Sequence, residues 1–339
     1  MNAGSLREAN TLGVPSVAER LVVVRREAEL LALVDAVGRG GASRLTVLGG
    51  GSNVVLRRRV PGTVCLIRTR GVRIEPGTGD VLVTAAAGER WHDLVRYTLG
   101  QGLAGLENLA LIPGSVGAAP IQNIGAYGVE LAERFVRLRA LDTASGRIHV
   151  LHGRDCDFGY RDSVFKRAEA ASLVILDVTL CLPRRAEPVT SYPDVALELE
   201  RLGRTRPQPW DVAEAVIRIR RRKLPDPRRI GNVGSFFKNP VVTVQEAAHV
   251  AARLPALNRY PAAGDRVKLS AAQLIDAAGW KGARLGPAAV WRRQPLVLVN
   301  TGGATAADVL TLADAIRRDV ADRFDVALEL EPRVIGEDD

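Results

Sequence analysis

The stretch IPGSVGAAPIQNIGAYGVE, residues 112–130, limits the folds open to this chain more than any other. Four glycines and three alanines stand among its nineteen residues, too long and irregular a run for a turn. Such a segment lets backbone lie directly against a flat or phosphorylated ligand. A second glycine-rich segment, GGGSN at 49–53, follows the apolar run LTVL. From the residues alone it is either a hairpin turn or a cradle whose successive N–H groups converge on one anion, naturally a pyrophosphate. Neither segment is a known nucleotide fingerprint. No G-x-x-x-x-G-K-[ST] occurs, and GRGGAS at 38–43 lacks the third glycine of a Rossmann turn and follows a helical pattern instead of a strand. A dinucleotide bound here would sit on some other fold.

Hydrophobic periodicity divides the chain near residue 225. The front opens with a helical pattern at 26–39. Short strand patterns follow at 44–56, 63–69, 71–76 and 80–88, then a helix ending in glycine at 89–102 and strands at 135–142 and 173–182. Residues 183–209 are polar, rich in arginine and punctuated by proline, and read as an insertion or lid with a short helix at 195–201. A helix with proline near its start and prolines at its end covers 209–227. Behind it, helices at 243–254, 269–280 and 305–324 alternate with strands at 295–300 and 326–332.

At 339 residues there is room for two or three domains. The net charge of +9 invites a nucleic-acid partner, but 42 of the 47 basic residues are arginine, a bias applied along the whole chain. The basic residues are scattered and aromatics for base stacking are few, so an anionic small molecule is the expected partner and nucleic acid is not. No apolar run reaches 18 residues, and the N-terminal residues lack the apolar core of a secretion signal. Cys65, Cys156 and Cys181 share no short spacing, which argues against a disulfide framework or a zinc knuckle and for a reducing cytosol.

Several residues invite chemical readings. Ser235 lies in GNVGSFFKNP, which is not a nucleophile elbow. A serine with no evident base can still give a proton to a carbanion or enolate; the plainer reading is a helix or turn cap. Arg161 in YRDSVFK offers a guanidinium fork for a carboxylate, or is one more surface arginine. Glu329 and Glu331 fall on one face of the expected final strand, where a carboxyl group is either a candidate acid or simply exposed. His149 and His152 with Asp155 and Cys156 hint at a metal, but strand spacing puts the two histidines on opposite faces, and no metal is expected.

Taken together, LGGGSNVVL, LIPGSVGAAPIQNIGAYGVE, YRDSVFK, KLPDP, GNVGSFFKNP, AAQLIDAAGWKG and LEPRVIG, spread from residue 48 to 336, resemble the UDP-N-acetylenolpyruvoylglucosamine reductases, the MurB family of flavoenzymes. IQNIGAYG and an insertion containing SYPD resemble the subgroup with a tyrosine-bearing loop over the active site. The resemblance implies an α+β chain. Its FAD-binding fold is of the vanillyl-alcohol-oxidase (PCMH) type in two subdomains, 1–70, completed by 329–339, and 71–224, which carries the loop insertion near 183–209. A C-terminal α/β substrate-binding domain covers 225–328.

By the same resemblance, FAD is the cofactor, NADPH the co-substrate and UDP-N-acetylglucosamine enolpyruvate the substrate of a cytoplasmic, monomeric enzyme of peptidoglycan precursor synthesis. Gly49, Gly50, Gly51, Ser52 and Asn53 would cradle the FAD pyrophosphate with Gly114, Ser115 and Gly117, and Asn123, Gly125 and Gly128 would complete the flavin pocket. NADPH reduces the flavin, hydride passes to the terminal carbon of the enolpyruvyl group, and Ser235 protonates the enolate-like carbon. Arg161 and a protonated Glu331 would stabilise that charge. Tyr192 would close over the substrate diphosphate. Lys223 and Asn239 would bind the diphosphate and uridine end, and Gln294 a polar group in the same pocket. Lys223 is one of only five lysines, and a point charge suits phosphate.

Overall fold

Alternating short strands and amphipathic helices fold into two units in the computed structural model, which describes residues 4–39, 45–76 and 79–338. The front unit holds Glu19–Gly51 and Gly62–Arg221, and the rear unit Gly4–Ala18, Ser52–Pro61 and Arg222–Asp339. The strands Val17–Val24 and Arg59–Ile67 each run from one unit into the other. Residues 40–43 of the GRGGAS segment lie outside the described residues.

The front unit is organised on a five-stranded antiparallel sheet. Its spatial order is Ile148–His152, Phe135–Asp142, Leu173–Pro183, Asp80–Ala86 and Val72–Glu75. Strict alternation in Asp80–Ala86 sends Val81, Val83 and Ala85 into the core. The helices of this unit are α1 (Glu27–Arg39), α2 (Trp91–Gly100), the single turn α3 (Gly153–Cys156), α4 (Pro193–Arg201) and α5 (Pro209–Lys223), whose last two residues belong to the rear unit. The α2 pattern buries Trp91, Leu94, Val95 and Leu99 on one face, at helical spacing.

The rear unit carries a four-stranded sheet ordered Gly231–Ser235, Val297–Asn300, Ala288–Val290, Arg284–Leu285, and a three-stranded one ordered Val241–Thr243, Arg266–Leu269, Arg259–Pro261. Its helices are α6 (Val244–Arg253), α7 (Ala271–Ala277) and α8 (Ala306–Phe324). Thr243 with Glu246 and Thr305 with Asp308 form capping boxes that start α6 and α8. Phe236, Phe237, Leu274, Leu298, Val309 and Ile316 build its core. Among the described residues no helix is long and apolar enough to cross a membrane.

Two sequence expectations meet a different backbone. GGGSN does not close a hairpin: Leu45–Leu48 pairs in parallel with Arg59–Ile67, whereas Val54–Leu56 pairs in parallel with Arg333–Ile335. Residues 326–332 do not form a strand. Leu330 makes a single antiparallel bridge to Phe237, so residue 328 would face Asn239. There the partner segment turns away: Asn239 Oδ1 accepts from Ala271 N–H at the start of α7 and the Pro240 carbonyl accepts from Leu269 N–H. The ladder therefore does not reach back toward residue 326, and the final strand is Arg333–Ile335.

Candidate active site

In the front unit the two glycine-rich segments lie against each other. A Cβ on Gly50 would stand 2.7 Å from the Cα of Gly114, and one on Gly49 would collide with the Ser115 hydroxyl. At Gly117 it would stand 2.5 Å from the Cβ of Ala87. At Gly50 the obstacle is backbone, so the approach of the two glycine segments is fixed there by a missing side chain; at Gly49 it is the end of a serine side chain, and Gly117 packs against Ala87 instead of the other segment. The 114–117 segment is also pinned from behind. Gly114 accepts from Trp91 N–H at 3.1 Å, Val116 donates to Glu89 at 2.9 Å and Gly117 donates to Ala87 at 2.9 Å. The N–H of Gly117 is thus spent within the protein, and its contribution to a cradle is space. Gly51 and Gly114 both have positive φ, 62° and 117°.

The segment continues into short 3₁₀ turns. Asn123, buried and at φ 43°, donates to Glu130 Oε2 at 2.7 Å and to the Gly159 carbonyl at 3.1 Å, and accepts from Ala132 N–H at 3.0 Å. Its side chain ties the segment to the loop that carries Arg161. Arg161 itself has φ 54°, unusual for an arginine. Its Nη2 donates to the Gly125 carbonyl at 2.8 Å, and its guanidinium lies 5.5 Å from the centre of the Tyr160 ring. A Cβ on Gly125 would stand 2.9 Å from Glu130 Cγ, 3.1 Å from the Val129 carbonyl oxygen and 3.2 Å from Arg161 Nη1. Gly128, at φ 85°, turns the chain behind Tyr127, whose ring meets Tyr192 edge-on at 5.3 Å. Tyr192 stands at the N-cap of α4, in the insertion.

Three residues of this region escaped the sequence reading. Asn108, buried, donates to the carbonyls of Tyr127 and Val189, both at 2.9 Å, and so joins the tyrosine turn to the insertion. Arg220 on α5 lies beside the Tyr127 hydroxyl and near Arg161; burial lowers its pKa, its bond to Tyr127 opposes that, and Arg161 adds to the lowering. Its Nε is shut off from solvent and has no hydrogen-bond partner among the described residues. A buried donor left unmet is costly, and an acceptor on a ligand would satisfy it. His92 accepts from Leu111 just ahead of Gly114. No spacing signal marks Asn108 or His92, and Arg220 is hidden in the run RIRRRK of an arginine-rich chain.

In the rear unit Ser235 ends the strand Gly231–Ser235, opposite Val297, after a register shift that follows Asn232. Gly234 at φ 74° makes the bulge possible, and Asn232 Oδ1 braces it by accepting from Gly234 N–H at 3.1 Å. Phe236 and Phe237 then anchor the backbone in the core, their rings edge-on at 5.7 Å. Ser235 caps no helix, and its hydroxyl bonds to no described residue. The backbone of Glu331 is locked to the same place: its N–H donates to the Phe236 carbonyl at 3.0 Å and its carbonyl accepts from Asn53 Nδ2 at 3.2 Å. Glu329 is exposed and pairs with Lys238 at 2.9 Å.

Trp291 links two other candidates: its Nε1 donates to the Lys223 carbonyl at 3.0 Å, and its own carbonyl accepts from Gln294 N–H at 3.2 Å. Asn239 Oδ1 accepts from Ala271 N–H at 3.0 Å at the start of α7, so its amide group is left to donate. The rear unit thus gathers Ser52, Asn53, Lys223, Ser235, Asn239, Gln294 and Glu331. The front unit gathers Gly49, Gly50, Gly51, Gly114, Ser115, Gly117, Asn123, Gly125, Gly128, Arg161 and Tyr192.

A close approach of two glycine-rich backbones suits an extended, phosphorylated group such as FAD, and the comparisons agree. Residues 18–152 match the family described as an FAD binding domain. Residues 226–335 match that described as UDP-N-acetylenolpyruvoylglucosamine reductase, C-terminal domain. The chain is therefore a flavoprotein of the vanillyl-alcohol-oxidase type of fold, with a reductase domain following in the sequence. It is 53% identical over 328 residues to the UDP-N-acetylenolpyruvoylglucosamine reductase of Azoarcus sp. (strain BH72), covering 95% of this chain and 94% of that one. To the enzyme of the same name from Paraburkholderia xenovorans it is 50% identical over 330 residues, 96% and 95% of the two chains. The solved structure of the Thermus caldophilus enzyme (MurB) aligns over 99% of this chain and all of that one, with a TM-score of 0.66 at 27% identity. The chain belongs to the UDP-N-acetylenolpyruvoylglucosamine reductase family.

Proposed function

We infer that the chain reduces UDP-N-acetylglucosamine enolpyruvate to UDP-N-acetylmuramate with NADPH, through bound FAD, in peptidoglycan precursor synthesis. The observation that carries this is kinship with reductases of that name along nearly the whole chain, 53% identical over 95% of it. When bound, FAD supplies hydride transfer between NADPH and the enolpyruvyl group. Gly49, Gly50, Gly51, Ser52, Asn53, Gly114, Ser115 and Gly117 hold its pyrophosphate, and Asn123, Gly125 and Gly128 shape the rest of its pocket. What supports this is the contact between the two glycine segments described above, closed to a larger side chain at Gly50.

Ser235 gives a proton to the carbon next to the carboxylate. An enolate-like carbon is basic enough that the serine needs position more than an activating base, and the bulge after Gly234 with the two buried phenylalanines supplies position. Arg161 holds the substrate carboxylate with the part of its fork not given to Gly125. Glu331 donates a hydrogen bond to the same developing charge. Lys223, Asn239, Gln294 and Tyr192 bind the nucleotide end. In this reading residues 1–70 with 329–339, 71–224 and 225–328 act as two FAD-binding subdomains and a substrate domain. We place the enzyme in the cytoplasm as a monomer; its three free thiols suit a reducing compartment.

Turnover in D₂O tests the reading. The product should be UDP-N-acetylmuramate with one solvent deuterium on the carbon next to the carboxylate and the NADPH-derived hydrogen on the terminal carbon. No product, or solvent label on the terminal carbon alone, would refute it.

A further inference from the structure

The chain enters the 114–117 segment through a strained turn that is gripped from α2. Leu111 has φ 59°, a conformation that leucine keeps only where its surroundings hold it. Its N–H donates to His92 Nδ1 at 3.0 Å. The neighbouring Trp91 holds the same stretch twice: its Nε1 donates to the Leu109 carbonyl at 3.0 Å, and its backbone N–H to the Gly114 carbonyl at 3.1 Å. Residues 109–114 are thus held at three points by two consecutive residues. Of the three, only the histidine bond can be switched off by a proton.

We propose that His92 is a positioning residue: in its neutral form, with the proton on Nε2, it holds the Leu111 turn in the shape that presents Gly114 and Ser115 to FAD. This rests on the assignment of 114–117 to FAD made above. The surroundings keep the imidazole neutral. Burial is the main cause lowering the His92 pKa from its ordinary 6.5; Arg96 on α2 and Arg221 and Arg220 on α5 add to it, and Asp93 on α2 alone opposes. Protonation would remove the acceptor and set an imidazolium among three guanidinium groups. Because the folded value is depressed, the contribution is full above the ordinary imidazole pKa and fades as pH falls through the folded value.

The test measures FAD affinity and release rate by flavin fluorescence on reconstituted apoprotein, from about pH 8 down to about pH 5, across the range where imidazole titrates. His92→Phe keeps a ring without the acceptor. His92→Asn puts an amide oxygen near the place of Nδ1 and does not titrate. The wild type should release FAD faster as pH falls. The phenylalanine variant should bind about 3–10-fold more weakly at neutral pH, the worth of one hydrogen bond. The asparagine variant should recover most of that affinity and lose the acid limb. Melting curves of the apoproteins check folding, and if the phenylalanine variant does not fold, the asparagine variant alone still decides through its acid limb. Wild-type affinity that is flat or tighter in acid, or an acid limb that persists in the asparagine variant, would overturn the proposal. So would a folded phenylalanine variant with normal affinity. Gly114→Ala separates this failure from that of the underlying reading. If it weakens FAD while His92→Phe does not, only the role of His92 falls; if it leaves FAD untouched, the 114–117 seat falls and the proposal with it.

Discussion

The glycine cradle of the front unit and the serine bulge of the rear unit are specified by opposite means. At Gly50 the decisive fact is a missing Cβ: its backbone meets that of Gly114 where any side chain would collide, and Gly117 sits as tightly on Ala87. At Ser235 the decisive facts are side chains, Phe236 and Phe237 sunk in the core and Asn232 bracing the bulge. A cofactor that is bound along its length can be held by backbone, and backbone access is bought with glycine. A proton delivered to one carbon needs one hydroxyl at one position, and that takes rigid packing around it. The first kind of site can be read from composition over a short window. The second cannot, because its anchors look like any other buried phenylalanines.

Substitutions at the two sites should separate these two means of specification. The largest effect should come from Ser235→Ala: stopped-flow absorbance should show flavin reduction by NADPH intact and reoxidation by substrate slowed about 10²–10⁴-fold. Equal rates in both half-reactions would remove the serine from the chemistry. Arg161→Lys should lower steady-state turnover by about 10²-fold, since an ammonium cannot hold both the Gly125 carbonyl and a carboxylate as a fork does; near-normal turnover contradicts this. Gly50→Ala should weaken FAD binding about 10–100-fold in a titration, the consequence of about 1–3 kcal/mol of overpacking against Gly114.

Arg220→Met gives a smaller effect. Methionine removes the unmet Nε but also the bond to Tyr127, so the apoprotein should change little in stability, while the rise in melting temperature on adding FAD shrinks by about 0.5–1.5 kcal/mol equivalent. An unchanged FAD response would mean that the front unit uses no side chain of this kind. Smallest is Phe237→Leu, which should cost about 1 kcal/mol in denaturant melts and slow substrate reoxidation slightly, without altering FAD affinity. If FAD affinity falls instead, the two sites are not specified independently.

Much of the front half was legible because its signals are local. The period of α2 and the alternation in Asp80–Ala86 follow from burying one face of an element, and both glycine segments were visible as such. What local signals cannot carry is a partner far away in sequence. GGGSN looked compatible with a hairpin because its flanking strands are adjacent in sequence, yet one pairs with Arg59–Ile67 and the other with Arg333–Ile335. The apolar alternation at 326–332 looked like a strand, but it makes one bridge, at Leu330, because Asn239, which would face residue 328, turns away to the start of α7. That residues 4–18 join the rear unit rests on contacts such as Thr11 with Asn232, 221 positions apart. The resemblance placed Arg161, Ser235 and Glu331 in one reaction. It said nothing of Asn108 or Arg220, whose parts depend on what they touch.

If the front unit holds a flavin that NADPH reduces and the enolpyruvyl sugar nucleotide reoxidises, an anaerobic visible spectrum of the purified protein should show both steps. The protein should be yellow, bleach on adding NADPH and regain its colour on adding UDP-N-acetylglucosamine enolpyruvate. A colourless protein that takes up no added FAD would contradict the cradle, and a bleached protein that stays bleached with substrate would contradict the reductase.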